Sequence, residues 1–387
     1  MNKRALLPLA AFAVSALALT ACTDNTQVSG ASGDGIINVT SSDTACDVST
    51  VSAPGGTVKF SVKNTGSQVT EFYLLAEDGL RIVGEVENIG PNLQRDLTVL
   101  APEGKYKTAC VPGMVGDGIR ADMTLTAAPA GQEVSADRKA LGDNATKLYA
   151  AYVQDQTNQL VTGTEEFAKA FAAGDTAKAK ELYPNVRMHW ERIEPVAESF
   201  GDLDPVLDNR EALLEKGEKF TGWHRAEKDL WAPAGYTPMT QAQRQAIADG
   251  MVKNTKELHT RVQTLSFMPD KLSNGAKELL DEVATGKVTG EEEIFSHTDL
   301  WDFQANVQGA RIAYEDLKPL LKGSNDELDT QLAENFKNVQ DLLDTHKTGE
   351  NSWKLYTELS KAQVKELADA VNALSEPLSK LTDAVIN

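Results

Sequence analysis

The sequence predicts a multi-domain chain, an N-terminal all-β sandwich followed by an all-α helical bundle, and two patterns carry that expectation. Between residues 36 and 128, short β-branched and aromatic runs alternate with Gly, Pro and Asn turns. From 138 to 387 the apolar residues recur every three or four positions, the helical period. A chain of 387 residues also exceeds the usual span of one domain.

The first 22 residues precede both domains. "MNKR" is a short basic start, "ALLPLAAFAVSALAL" is apolar, and small residues close the segment. That pattern is a secretory signal, too short to remain as a membrane span. Its end, Leu-x-Ala-Cys, resembles the bacterial lipobox, which implies lipid on Cys22 and a mature chain anchored outside the cytoplasm, on the periplasmic side or the cell surface. Cleavage near Ala21 to leave an unanchored protein is the alternative. Residues 23–35 read as a flexible tether. The chain carries 57 acidic and 38 basic residues, a net charge of −19, which argues against nucleic acid as a partner.

Within the sandwich, "INVTS", "TVKFSVKN", "EFYLLAE", "RDLTVLA", "GKYKTACV" and "ADMTLTA" are the expected strands. Val58, Phe60 and Val62 alternate inward, as do Tyr106, Thr108 and Cys110. Residues 129–137 form a small-residue linker. In the bundle, Leu300, Phe303, Val307, Ala310, Tyr314, Leu317 and Leu321 share one face, and Val364 through Val385 repeat the pattern. Asp143, Thr164 and Asp175 stand where helix N-caps belong, and no strand is expected to interrupt the helices.

The candidate chemistry falls in both halves. A sandwich ending in "CVPGM" looks like a cupredoxin, yet all five histidines (189, 224, 259, 297 and 346) lie outside it. A blue-copper centre needs two imidazoles, so that centre is excluded. Glu71 stands where a cupredoxin carries its first histidine. What remains is Cys46, Glu71, Cys110 and Met114, a carboxylate and sulfur set suited to iron or copper if the four converge. Cys46 and Cys110 are open to either a disulfide or paired thiolate ligation.

In the helical half, "TGWHRAEKDLW" places His224 and Glu227 three apart on one helix face, flanked by Trp223 and Trp231. "FGDLDP" adds Asp202 and Asp204, and "GEEEIFSHTDLWDF" adds Glu293 and His297, read as one helical turn apart. Carboxylates and histidines from several helices are how bundle-core metal sites are built. His189 and Glu194 are secondary candidates. The signatures H-E-x-x-H, H-x-x-E-H and G-x-S-x-G are absent, so binding is favoured over catalysis.

Together, "HWERIEPVAESFGDLDP", "GWHRAEKDLW" and "EEEIFSHTDLWDFQANV" after a cupredoxin-like domain closely resemble the EfeO-like iron uptake lipoproteins. The helical part is similar to the imelysin-like family, whose hallmark G-x-H-x-x-E matches Gly222, His224 and Glu227. The resemblance implies an iron-binding protein, with copper or zinc as other cations, that serves a membrane permease alongside a haem peroxidase. It carries metal ligation to His224 and Glu227, then to Asp202 or Asp204 and Glu293, and in the sandwich to Cys46, Glu71 and Cys110. An imelysin-type metallopeptidase and a cation-dependent polysaccharide-binding module are the alternatives.

Overall fold

The computed structural model describes residues 35–387 apart from 78, 80, 81, 115–117, 129–135 and 215. The signal segment with Cys22, nearly all of the tether and most of the linker lie outside the described residues. The architecture is a β-sandwich over residues 36–126 followed by an all-helical domain over 138–386.

The sandwich uses β1 (Ile36–Ser41), β2 (Cys46–Val48), β3 (Ser52–Pro54), β4 (Gly56–Asn64), β5 (Thr70–Ala76), β6 (Ile82–Ile89), β7 (Gln94–Ala101), β8 (Gly104–Pro112) and β9 (Ile119–Thr126). One sheet runs β2-β1-β4-β7 and the other β3-β9-β8-β5-β6. The strands beyond the expected six, β2, β3 and β6, lack a clean alternation to announce them. Val58, Phe60 and Val62 do point inward, and the Phe60 and Phe72 rings meet across the core at 5.1 Å between centroids. Cys46 and Cys110 form a disulfide that ties the two sheets together, with Cα atoms 5.5 Å apart.

Alternation puts the outer face of β5 and β6 to different use. Tyr73 stands opposite Glu85 in the ladder, and with Glu87 these side chains face the helical domain. That domain comprises α1 (Ala136–Ala173), α2 (Thr176–Glu191), α3 (Leu203–Asp208), α4 (Gly222–Trp231), α5 (Gln241–Val262), α6 (Pro269–Thr285), α7 (Asp299–Leu317), α8 (Asp326–Asp344), α9 (Lys361–Leu378) and α10 (Leu381–Ile386). Helix α6 joins it to the sandwich. Asp270 accepts the Leu100 amide at 2.8 Å, Asn274 donates to the Thr98 carbonyl at 3.1 Å, and Arg95 pairs with Asp281 at 2.5 Å. At Gly275 a Cβ would overlap the Pro195 carbonyl, so glycine lets α6 lie directly on the 3-10 turn Glu194–Phe200.

Asp175 caps α2 by accepting the Lys178 amide, as its position implies. Asp143 and Thr164 are not caps. Both lie inside α1, where Asp143 pairs with Lys139 one turn away and Thr164 is buried. The 38-residue helix stays continuous because its apolar side packs on its neighbours, which outweighs two weak local preferences. The helices are also interrupted by a two-stranded ribbon, β10 (Lys347–Gly349) with β11 (Ser352–Trp353), seated by Trp353 against Trp301.

The disulfide closes a loop with a sequence separation of 64 residues. Chain-entropy reasoning gives such a link about 4 kcal/mol. Replacing Cys46 and Cys110 together by Ser should lower sandwich stability by roughly that amount in urea unfolding, and a reductant should have no further effect on the variant.

Candidate metal centre

Arg187, near the end of α2, is fully buried, and the elements around it supply carboxylates. Its Nη2 lies 2.6 Å from Glu191 and 3.0 Å from Glu292, its Nε lies 2.5 Å from Glu293, and its Nη1 pairs with Asp208 at the end of α3. Asp302 on α7 stands 3.6 Å from Nε. A second buried cation, Lys287, holds Glu191 at 3.0 Å and Glu194 at 2.7 Å. Asn306 donates to both of those carboxylates.

His224 enters this nest from α4. The preceding Gly222 has φ of +74°, and a Cβ there would overlap the Leu207 carbonyl. Only glycine lets α4 start so close to the end of α3. The His224 ring is 2% exposed, yet neither nitrogen has a hydrogen-bond partner. On one side Nδ1 lies 3.5 Å from Glu227 Oε2 and 3.9 Å from Glu293 Oε1. On the other, Nε2 lies 3.5 Å from both Asp208 and Glu292. Each side forms a triad whose ligand atoms lie within 4.8 Å of one another.

The Nδ1 side is the better prepared. Backbone amides of Phe295 and Ser296 donate to Glu227 Oε1 at 2.9 and 2.6 Å, which leaves Oε2 without a partner and beside the ring. Tyr183 and the Ser296 hydroxyl donate to the two oxygens of Glu293. On the Nε2 side both Asp208 and Glu292 are engaged by Arg187, whereas on the Nδ1 side Arg187 reaches Glu293 and leaves Glu227 to the backbone amides.

These surroundings set the proton affinities. Burial and Arg187 oppose a charge on His224, but Glu227, Glu292 and Asp208 outweigh them and hold its pKa at about 9. Burial opposes ionisation of Glu227 as well, and His224 with the Ser296 amide brings it below the usual carboxylate range. Glu293, buried beside Glu227, is pushed well above that range. Burial similarly raises Asp299 to about 7. With no thiolate and one imidazole, the donor set suits iron, zinc or manganese more than a soft cation.

Of the residues singled out by sequence, His224, Glu227 and Glu293 come together. Asp202 does not join them: it is exposed and pairs with Arg261. Asp204 faces the cavity between the domains and not the His224 ring, and there burial and the nearby Asp208 raise its pKa to about 7. Glu293 and His297 do not share a helix, because residues 292–296 form turns and His297 has φ of +61°. His189 accepts or donates a hydrogen bond with Gln156 and is structural, while Glu194 serves Lys287.

The sandwich set does not converge either. Cys46 and Cys110 are consumed by their disulfide, so neither is a thiolate ligand. Glu71 lies next to Phe72 on β5, and Phe72 pairs with Cys110 inside the core, so Glu71 faces the opposite side of the sheet. Met114 sits in the turn after β8. Sequence reading missed Asp208, Glu292 and Arg187. Glu292 lies within a string already noted, Asp208 falls three residues beyond "FGDLDP", and nothing local marks Arg187.

The imelysin family model matches residues 145–381, and a cupredoxin-like domain model matches residues 9–124. The chain belongs to the imelysin family, in its EfeO-like branch. Efem/EfeO family lipoproteins of Staphylococcus aureus strains MRSA252 and USA300 are 47% and 46% identical to it over 240 residues, 61% of this chain and 83% of each relative. No helix among the described residues of this imelysin-family chain is long and apolar enough to cross a membrane.

Two outcomes are expected from this electrostatic arrangement. In the metal-stripped chain, an NMR titration should find the His224 imidazole changing charge near pH 9, and His189 near pH 4 because burial and Arg192 depress it. His224 holds its proton more tightly folded than unfolded, so its contribution to stability is complete below about pH 6.5 and disappears as the pH rises toward 9. Arg187→Met should cost roughly 3–5 kcal/mol in denaturant unfolding, since it strands several buried carboxylates.

Proposed function

We propose that the helical domain binds an iron cation at His224 Nδ1, Glu227 and Glu293, and that the chain serves as the extracytoplasmic iron-binding component of an uptake system. The observation that carries this reading is a buried imidazole with both nitrogens bare among carboxylates that outnumber the cations near them. In the metal-free state the proton on His224 does part of a cation's work. A metal would displace that proton and would give the unpartnered Glu227 Oε2 its counter-charge. Nε2–H would then face Asp208 and Glu292, the carboxylate–histidine–metal arrangement that fixes a ligand's tautomer.

Membership of the EfeO-like branch supports iron as cargo, with zinc and copper as competitors. It also supports a lipid anchor on Cys22 and delivery to a membrane permease that works beside a haem peroxidase. Transport fits better than hydrolysis. Glu227, the carboxylate paired with the histidine, is held below the usual range and is a poor general base near neutral pH.

The test is an anaerobic titration of the metal-stripped chain with ferrous iron, run beside zinc and copper. Wild type should bind one saturable equivalent that His224→Ala with Glu227→Ala abolishes. Glu293→Gln should weaken that equivalent by at least about tenfold, as losses at or around metal ligands do. Unchanged affinity and stoichiometry in the double variant would remove the assignment.

A further inference from the structure

The outer face of β5 and β6 does not rest directly on the bundle. Between them lies a cavity of 420 Å³ lined by Tyr73, Glu85 and Glu87 from the sandwich and by Glu198, Glu278 and Glu282 from the helical domain. Glu85 is 8% exposed. Its carboxylate has no hydrogen bond or ion pair among the described residues, and it is aimed into this space. One oxygen each from Glu85, Glu198 and Glu278 lie within 4.8 Å of one another. No hydrogen bond joins the three carboxyl groups. Lys271 pairs with Glu198 at 3.2 Å, and Lys277, whose charge also acts on Glu278, is paired with Asp281 at 2.7 Å, so neither lysine makes an ion pair with Glu85 or Glu278 among the described residues.

We propose that this interdomain cleft is a second cation site, formed by Glu85, Glu198 and Glu278, that takes a hard, oxygen-seeking divalent or trivalent cation. Its lining contains neither imidazole nor sulfur, so it selects a different class of cation from the His224 centre. Hard cations of calcium or lanthanide size take six to eight oxygens. Three carboxylates, some bidentate, leave positions for water, and the cavity has room for several molecules of roughly 30 Å³ each. Burial, with the neighbouring Glu198, Glu278 and Glu87, pushes Glu85 well above the usual carboxylate range; Glu278 is displaced the same way, and Glu87 reaches about 8.

The ligands come from both domains, with Glu85 on β6, Glu198 on the 3-10 turn and Glu278 on α6, so an occupied site would fasten the sandwich to the bundle. The same cavity reaches Asp208 and Glu292, which flank His224 Nε2. The two cation positions would therefore share one acidic passage. The proposal stands whether or not the His224 centre carries iron.

Terbium tests it directly, because Tyr73 lines the cavity and can sensitise the emission of a lanthanide bound there. Terbium added to the metal-stripped full chain in detergent should give saturable tyrosine-sensitised emission that excess calcium reverses. Glu85→Gln with Glu278→Gln should weaken terbium binding by at least about tenfold. If that pair does not fold, Glu278→Gln alone should show a loss in the same direction. His224→Ala should leave the emission in place, which separates this site from the bundle centre. Emission that never saturates, that survives the Glu85 and Glu278 changes, or that vanishes with His224→Ala would overturn the proposal.

Discussion

Arg187 brings a guanidinium into the fully buried centre of the helical domain, and the elements packed around it answer with Glu191, Asp208, Glu292, Glu293 and Asp302. A buried charge is costly unless it is paired and hydrogen-bonded, so this one position dictates where α2, α3, α7 and the turns before α7 must come. The carboxylates gathered to satisfy it exceed its single charge. Lys287 takes up part of the remainder through Glu191 and Glu194. His224, protonated by the same field, takes up more. The negative character of the site follows from that imbalance: the fold gathers carboxylates and leaves an imidazole inside them with neither nitrogen hydrogen-bonded.

Rigidity comes from the backbone as much as from charge. Gly222 permits α4 to begin against the Leu207 carbonyl, and the amides of Phe295 and Ser296 clamp one oxygen of Glu227. Glu227 therefore presents its free oxygen with little rotamer freedom left, and pre-organisation of that kind lowers the entropic cost of binding a cation. The aromatic layer behind it, in which Trp223 packs on Phe167 and Tyr183, closes the site away from α1 and supplies the Tyr183 hydroxyl to Glu293.

Helix α6 links this centre to the sandwich. Its near face meets β7 through Asp270, Asn274 and Asp281, and Gly275 lets it press on the turn that carries Glu198. Two acidic surfaces face each other across the domain boundary as a result. Like charges held that close favour either protonation or a bound cation, and the domain contacts keep them from separating.

The two-domain order, the helical period of α7 and α9, the inward alternation on β4 and β8, and the His224–Glu227 pair were all legible in the sequence. Each rests on local spacing: period 2, period 3.6, or two residues one turn apart. The caps expected at Asp143 and Thr164 failed because long-range packing along α1 outweighs a cap preference worth about 1 kcal/mol. Glu293 was visible but its helical pairing with His297 was not real, since the chain there turns and His297 adopts a left-handed conformation. Asp208 and Glu292 meet His224 across 16 and 68 residues of sequence, and Arg187 meets Glu292 across 105, separations that no local pattern encodes. The choice between disulfide and thiolates at Cys46 and Cys110 turned on two sheets stacking at bonding distance. By itself the sequence determined the order of the two domains and put His224, Glu227 and Glu293 forward as donors in the helical one. Tertiary structure decided which of them do meet, because burial and charge balance are properties of the packed interior and have no counterpart along the chain.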